Sequence, residues 1–306
     1  MKKFSGFLYL ALFLLLLVHP HLSYSGASSG LLLWYQVILP TLFPYALLVS
    51  ILIETNSLRY LTRFLAPLCR RIFRTSDAGS FVVVTGYLCG YPMGAKAVND
   101  MVIHQYLSKK EGQYLLSFCN NASPSFLINY VLIAHVTGTK KMIAALVILY
   151  LSTYLVSLVT RRFHARLENV DALSKKTPDT VYRPLESIDT CIINSFETMV
   201  KVGGYIMLFS ILLEIAEFYL SATAAVYVLP FFELTNGIQA VETLPLGKDW
   251  SYILMLALTS FGGICQLFQT KSMIKESGLQ IFPYTLEKLA TAIVTSLLAI
   301  LSLHFF

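Results

Sequence analysis

The sequence predicts an all-α polytopic membrane protein with about seven spans and two re-entrant helical hairpins, arranged as inverted repeats. Three observations lead there. The 306 residues are 56% hydrophobic and only 13% charged, with a mean hydropathy of +0.66. A soluble domain carries about 25% charged residues. Several apolar runs approach the roughly 20 residues that cross bilayer hydrocarbon. The third observation is a pattern that occurs twice. An apolar helix enters a segment broken by Gly and Pro, and a second apolar helix follows, broken by small polar residues. The first copy reads Gly86-Tyr-Leu-Cys-Gly90-Tyr-Pro92-Met-Gly94-Ala-Lys96-Ala-Val98-Asn-Asp100, then Phe118-Cys-Asn120-Asn121-Ala-Ser123-Pro124. The second reads Phe232-Glu233-Leu-Thr235-Asn236-Gly237-Ile-Gln239-Ala-Val241-Glu242, then Thr259-Ser260-Phe-Gly262-Gly263. Lipid cannot satisfy the backbone groups that such breaks free, so matched breaks in two halves point to a transporter's binding site.

The elements follow in order. Lys2 and Lys3 precede an apolar run at 7–18, which His19-Pro20-His21 follows. A secretory signal and an uncleaved first helix reaching Tyr24 both account for this run. The uncleaved helix is favoured, because the rest of the chain is itself membrane-embedded. Further spans fall near 31–53, 112–136, 142–160, 192–220, 251–270 and 285–305. The interrupted regions 79–106 and 223–241 read as the hairpins. The chain thus divides into an N-terminal membrane helix (1–30), a first transport repeat (31–160), a cytoplasmic linker (161–190) and a second, inverted repeat (191–306).

Lys and Arg set the orientation. With Lys2 and Lys3 in the cytoplasm, the second span returns there at Arg59, Arg63, Arg70, Arg71 and Arg74. The first hairpin opens to the same side and reaches Lys109 and Lys110. Later spans return at Arg161, Arg162 and Arg166, and the linker adds Lys175, Lys176 and Arg183. The second hairpin opens outside, beside Glu242 and Asp249. The last two spans are joined in the cytoplasm at Lys271 and Lys275. Lys140 and Lys141 are the exceptions to the pattern.

Some function classes recede. The net charge of +6 lies at span ends and does not signal nucleic acid. The 5 cysteines have neither metal-ligand spacing nor a readable disulfide framework. No His-Glu-x-x-His, Gly-x-Ser-x-Gly, Walker loop or Cys-x-x-Cys occurs, so no enzyme, metal site or cofactor is expected. The expected partners are a small solute, a coupling H+ or Na+, and the bilayer, with homo-oligomerisation left open.

Lys96 and Asp100 are four apart and share a helix face. They either neutralise one another, or Lys96 attracts an anionic solute while Asp100 or Asn99 tunes it. Gly86, Gly90 and Gly94 form a smooth stripe for close packing, and Pro92 ends the helix near Tyr91. Asn120, Asn121, Ser123 and Pro124 interrupt an apolar span. They either bridge helices or offer a solute carboxylate the N–H groups of a new helix. Ser260, Gly262, Gly263 and Gln266 take this part in the second half, with Gln239 standing where the first half has Lys96. Glu233, before Thr235, Asn236 and Gly237, is either an interfacial carboxylate or a proton or sodium site.

Five segments then occur in a telling order: Leu39-Pro-Thr-Leu-Phe-Pro44, Gly90-Tyr-Pro-Met-Gly-Ala-Lys96, Asn120-Asn-Ala-Ser-Pro124, Phe232-Glu-Leu-Thr-Asn-Gly237 and Phe261-Gly-Gly-Ile-Cys-Gln266. Together they resemble the nucleoside-recognition (Gate) domain membrane proteins, and among them the sporulation integral membrane type. The resemblance covers roughly residue 31 to the C-terminus. It implies a multi-pass protein of the bacterial cytoplasmic membrane in endospore formers, on the mother-cell side outer forespore membrane. The implied task is moving dipicolinic acid from mother cell towards forespore. Dipicolinate is a planar aromatic dicarboxylate, which Lys96 and helix N-termini suit and on which Tyr87 and Tyr91 can stack. Two alternatives stay open: a nucleoside or nucleobase carrier or sensor of the same architecture, and a non-transporting sporulation assembly factor.

The basic linker places residues 161–184 in the cytoplasm. A Ser174→Cys variant, in a chain whose native cysteines are replaced, should react with impermeant maleimide only in opened cells. Labelling in intact cells would reverse the orientation.

Overall fold

The computed structural model describes residues 2–55, 57–164, 184–220 and 228–305. The described residues are helical throughout, without a strand. Helix α1 is Lys2–Val18. Helix α2, Pro20–Leu33, runs through a π turn at Trp34–Ile38 into α3, Leu39–Glu54. Next come α4 (Leu58–Phe73), α5 (Asp77–Cys89), α6 (Met93–Ile103) and α7 (Lys109–Cys119). After a break, α8 (Pro124–Phe126), a π segment (Leu127–Leu132) and α9 (Ile133–His135) form one continuous helical stretch. Then follow α10 (Thr139–His164), α11 (Pro184–Tyr219), a 3-10 turn (Leu229–Phe231) and α12 (Leu234–Thr243). The chain finishes with α13 (Lys248–Phe261), α14 (Gly263–Met273) and α15 (Ile281–Leu303).

Among the described residues, 5 helical stretches are long and apolar enough to cross a membrane: Pro20–Leu52, Thr139–Phe163, Ile188–Tyr219, Lys248–Met273 and Ile281–Leu303. The chain is a multi-pass membrane protein, and α15 shows why in its side chains. Phe282, Leu286, Leu289, Ile293 and Leu297 are exposed, while Tyr284, Lys288, Thr291 and Thr295 are buried. A water-facing helix would show the reverse order, because apolar side chains leave water and polar ones stay in it. Here the apolar stripe meets lipid and the polar stripe finds partners inside.

Three boundaries differ from the sequence reading. The first apolar run ends at Val18, and Pro20 opens a new helix that continues through the predicted second span. Proline suits this first helical position, where its missing N–H costs nothing. The Arg cluster at 59–74 is largely a helix, α4, rather than a connection. One of its faces packs on α5 through Leu65, Ala66 and Cys69, while Tyr60, Phe64 and Leu68 stay exposed. The predicted span 112–136 is two helical pieces, divided at 120–123. The linker and the first arm of the second hairpin fall largely at 165–183 and 221–227, outside the described residues.

One of the two basic exceptions near the start of α10 has a carboxylate partner. Lys141 pairs with Asp249 at 3.5 Å, at the start of α13. The two helix starts therefore lie at one end of the bundle.

Helix α11 packs along α2 and α3, while α15 packs against α13 and α10. Helices α5 and α6 form an antiparallel hairpin whose glycines meet the break after α7. A Cβ on Gly86 or on Gly94 would collide with the Cys119 carbonyl, and one on Gly90 with the Ser123 amide. The stripe thus admits the end of α7 at Cys119 and the non-helical backbone of 120–123 into the hairpin's face. The glycine stripe, read from the sequence as a face for close packing, also receives the break after α7.

Gly86→Ala should therefore lower the thermal midpoint of the purified protein, since overpacking costs about 1–3 kcal/mol. Gly204→Ala is the control. That glycine has open space around it, and alanine improves helix propensity there by about 1 kcal/mol. Equal midpoints for Gly86→Ala and the unchanged chain would show that the stripe is slack.

Candidate functional site

Four helix starts converge on the middle of the bundle. Helix α6 begins after Pro92, α8 after Ser123, α12 after Glu233 and α14 after Gly262. Each start carries N–H groups without intrahelical partners and the positive end of a helix dipole. Side chains answer three of them. Asn120 Oδ1 accepts from Ala95 N–H at 3.1 Å, near the start of α6. Ser123 Oγ accepts from Phe126 N–H at 3.2 Å. Glu233 accepts from the N–H groups of Thr235 at 3.1 Å and Asn236 at 2.9 Å, and from the Thr235 hydroxyl at 2.8 Å. The fourth start, at α14, is made by Gly262 before it and Gly263 as its first residue, with φ of 88° and 82°, and has no side-chain cap.

Between these starts lies a cavity of about 30 Å³, room for a water molecule or two. Its polar lining includes Tyr91, Ser123, Glu233, Thr235, Gln266 and Gln269. Ile38, Leu42, Val202 and Ile206 close it from α3, its preceding π turn and α11.

A buried polar network stands beside the cavity. Asn120 donates to Thr270 Oγ1 and to the Tyr284 hydroxyl, both at 2.9 Å. Gln266 Nε2 donates to the same two oxygens, at 2.9 and 2.7 Å. Lys288 Nζ donates to the Asn120 carbonyl at 3.4 Å and to Asn121 Oδ1 at 3.0 Å. Lys288 is only 1% exposed, and no carboxylate among the described residues lies within ion-pair reach of it. It stands at the C-terminal end of α7, where the dipole favours a cation. In each half one backbone bond ties tip to break: Tyr91 N–H to the Asn121 carbonyl at 2.6 Å, and Cys265 N–H to the Phe232 carbonyl at 2.8 Å.

The sequence-derived candidates separate into groups. Tyr91, Ser123, Glu233, Gly262 and Gln266 line the cavity. Asn120 and Asn121 belong to the network beside it. Gly94, Gly237 and Gly263 are places of close backbone approach, facing the break after α7, the Pro230 carbonyl and the Glu233 turn. Asn236 reaches Ser210 of α11 at 3.4 Å, Ser260 bonds within its own helix, and Gln239 is exposed. The acidic and basic pair on α6 forms no ion pair. Lys96 Nζ donates to Thr198 of α11 at 3.1 Å, while Asp100 accepts from Asn99 at 3.3 Å. Asn99 in turn accepts from the Ser277 N–H at 3.1 Å. None of these three lines the cavity. Lys288, Tyr284, Thr270 and Gln269 went unread in the sequence, and Thr235 was read only as part of the second motif. The signal for Lys288 was present, as a charge well inside an apolar span at helical spacing from Tyr284, Thr291 and Thr295.

Fold and site define a multi-pass α-helical membrane protein with broken helices around a central polar cavity. The sporulation integral membrane protein YlbJ of Bacillus subtilis (strain 168) is similar to this chain, 25% identical over 319 aligned positions that cover 92% of this chain and 78% of that one. The similarity supports the YlbJ type that the ordered motifs imply. No family model matches the chain, and no solved structure matches it.

Asn120→Leu should destabilise the protein strongly, because each buried partner left unpaired costs about 1–3 kcal/mol. The check is the thermal midpoint in detergent. An unchanged midpoint would mean that the network does not hold the break.

Proposed function

We propose that this chain is a permease of sporulating bacteria that moves a small organic anion, with dipicolinate as the candidate solute. The observation that carries the reading is the meeting of four helix starts at one cavity, with Lys288 behind them. Helix N-termini favour anions by charge and by free N–H groups. The start of α14 has no side-chain cap; the Phe232 carbonyl takes its Cys265 N–H, and the N–H groups of Gly263 and Ile264 are those left for a carboxylate oxygen. Tyr91 and Phe126 supply aromatic surface to the cavity wall, as a planar ring would use. The similar YlbJ protein of Bacillus subtilis is a sporulation integral membrane protein, which supports the sporulation context.

At about 30 Å³ the cavity is too small for dipicolinate, so the solute enters when the hairpins part from the broken spans. Inverted repeats supply a route for this, one hairpin opening to each side. A nucleobase or nucleoside is the second reading. It is favoured by the Gln266 and Gln269 amides and the Glu233 carboxylate, which suit a neutral hydrogen-bonding solute.

Proteoliposome uptake distinguishes the two. Labelled dipicolinate should accumulate and resist competition by nucleosides. A cationic side chain near the cavity contributes on the order of 1–3 kcal/mol to anion binding. Lys288→Met should therefore weaken dipicolinate binding by roughly tenfold or more, while Lys96→Gln, away from the cavity, should change it less. Gly262→Leu should insert normally yet stop uptake, because leucine at φ near 88° is strained and its side chain fills the cavity mouth. Normal uptake by Gly262→Leu would remove the site from this cavity. Absence of any flux would favour an assembly role.

A further inference from the structure

Glu233 and Gln266 face the same cavity from opposite halves of the second break. Both are acceptors there. Glu233 is 5% exposed and takes three hydrogen bonds, all from neutral donors. Gln266 is 2% exposed; its Nε2 donates to the Thr270 and Tyr284 hydroxyls, and its Oε1 is buried without a partner among the described residues. A buried carboxylate without a cation and a buried amide oxygen without a donor are each costly alone. A single small cation between them relieves both costs.

The surroundings narrow its identity. The titratable side chains facing Glu233 from other elements are Tyr91, Tyr130 and Cys265, and none is cationic. On its own helix Glu242 is engaged by His135 at 2.6 Å. No group of three His, Cys, Asp or Glu side chains occurs among the described residues, and a lone carboxylate balances only one charge of a divalent metal. One carboxylate, one amide oxygen and the nearby Ser123 and Thr235 hydroxyls suit a monovalent cation. The volume fits a desolvated ion or a proton shared with one water.

We propose that Glu233 and Gln266 Oε1 hold a small monovalent cation, Na+ or a proton, that neutralises Glu233 and travels with the solute. The site rests on the placement above, and its coupling role rests on the anion reading. An anion beside an ionised Glu233 would meet a like charge. An anion beside a neutralised Glu233 meets only helix N-termini and amides. The cation thus gates the anion, and the load crosses with less net charge.

The test uses the full-length protein in detergent without any organic anion, so its outcome is separate from that of the uptake assay. The thermal midpoint is followed in NaCl against N-methylglucamine chloride at equal ionic strength, over a series of pH values. In the sodium case, Na+ raises the midpoint saturably, and Glu233→Gln and Gln266→Leu each weaken the apparent affinity by about tenfold or more. In the proton case, Na+ has no effect, and the stability difference between the unchanged chain and Glu233→Gln varies with pH. Gln266→Leu leaves the α12 cap intact and keeps the test usable if Glu233→Gln folds poorly. It should shift the pH response in the same direction as Glu233→Gln. Variants that respond to Na+ and pH as the unchanged chain does would overturn the proposal and leave the cavity to water. Uptake of anion with no accompanying Na+ or proton flux would overturn the coupling role alone.

Discussion

The structure depends on one constraint: backbone groups set free inside hydrocarbon must find partners within the protein. The break after α7 obeys it in three ways at once. Glycines at 86, 90 and 94 let the hairpin approach the bare backbone. Asn120 turns its side chain to the start of α6 and to the Thr270–Tyr284 pair. Lys288 reaches the carbonyl of the same residue from α15. Remove the break and these residues lose their reason to be polar or small. The central cavity is what remains when such a set of partners closes around two breaks.

The ties within and between halves differ in kind, and this bears on motion. Within each half, tip and break are joined by backbone hydrogen bonds, at Tyr91–Asn121 and Phe232–Cys265. Between the halves the ties are made by side chains: Asn120 to Thr270 and Tyr284, Lys288 to Asn121, the Tyr130 hydroxyl to the Thr235 carbonyl, and His135 to Glu242. Side-chain bonds can be exchanged for water or solute at a small net cost, about 0.5–1.5 kcal/mol each. These replaceable bonds lie around the cavity, while the apolar packing of α11 along α2 and α3 and of α15 on α10 holds the halves together.

The fold class was legible because hydrophobic length and charge placement are strong, local signals. The breaks were legible because Gly, Pro and Asn clusters stand out in apolar runs. What failed was partner choice. Lys96 and Asp100 share a helix face, yet α11 and Asn99 are their partners. Spacing along one helix shows which side chains can meet, but a third helix decides which do. Lys288 was missed for the complementary reason: it lies past Pro283, in a stretch of its span without Gly or Pro, so nothing beside it marked a break. Its significance comes wholly from Asn120 and Asn121, over 160 residues earlier in the chain. Gln266 was legible as a position but not as a chemistry, since its free oxygen follows from where its nitrogen points.

The central claim is that solute occupies the cavity between the two breaks. Cys265 reports on it directly, being buried on the cavity wall. In a chain where Cys69, Cys89, Cys119 and Cys191 are replaced, the rate of Cys265 alkylation by a small thiol reagent measures access to the cavity in the membrane. The account predicts slow but finite modification, which saturating dipicolinate suppresses in Lys288 protein and fails to suppress in Lys288→Met. Modification at the same rate with and without every solute tried, dipicolinate and nucleosides alike, would contradict it.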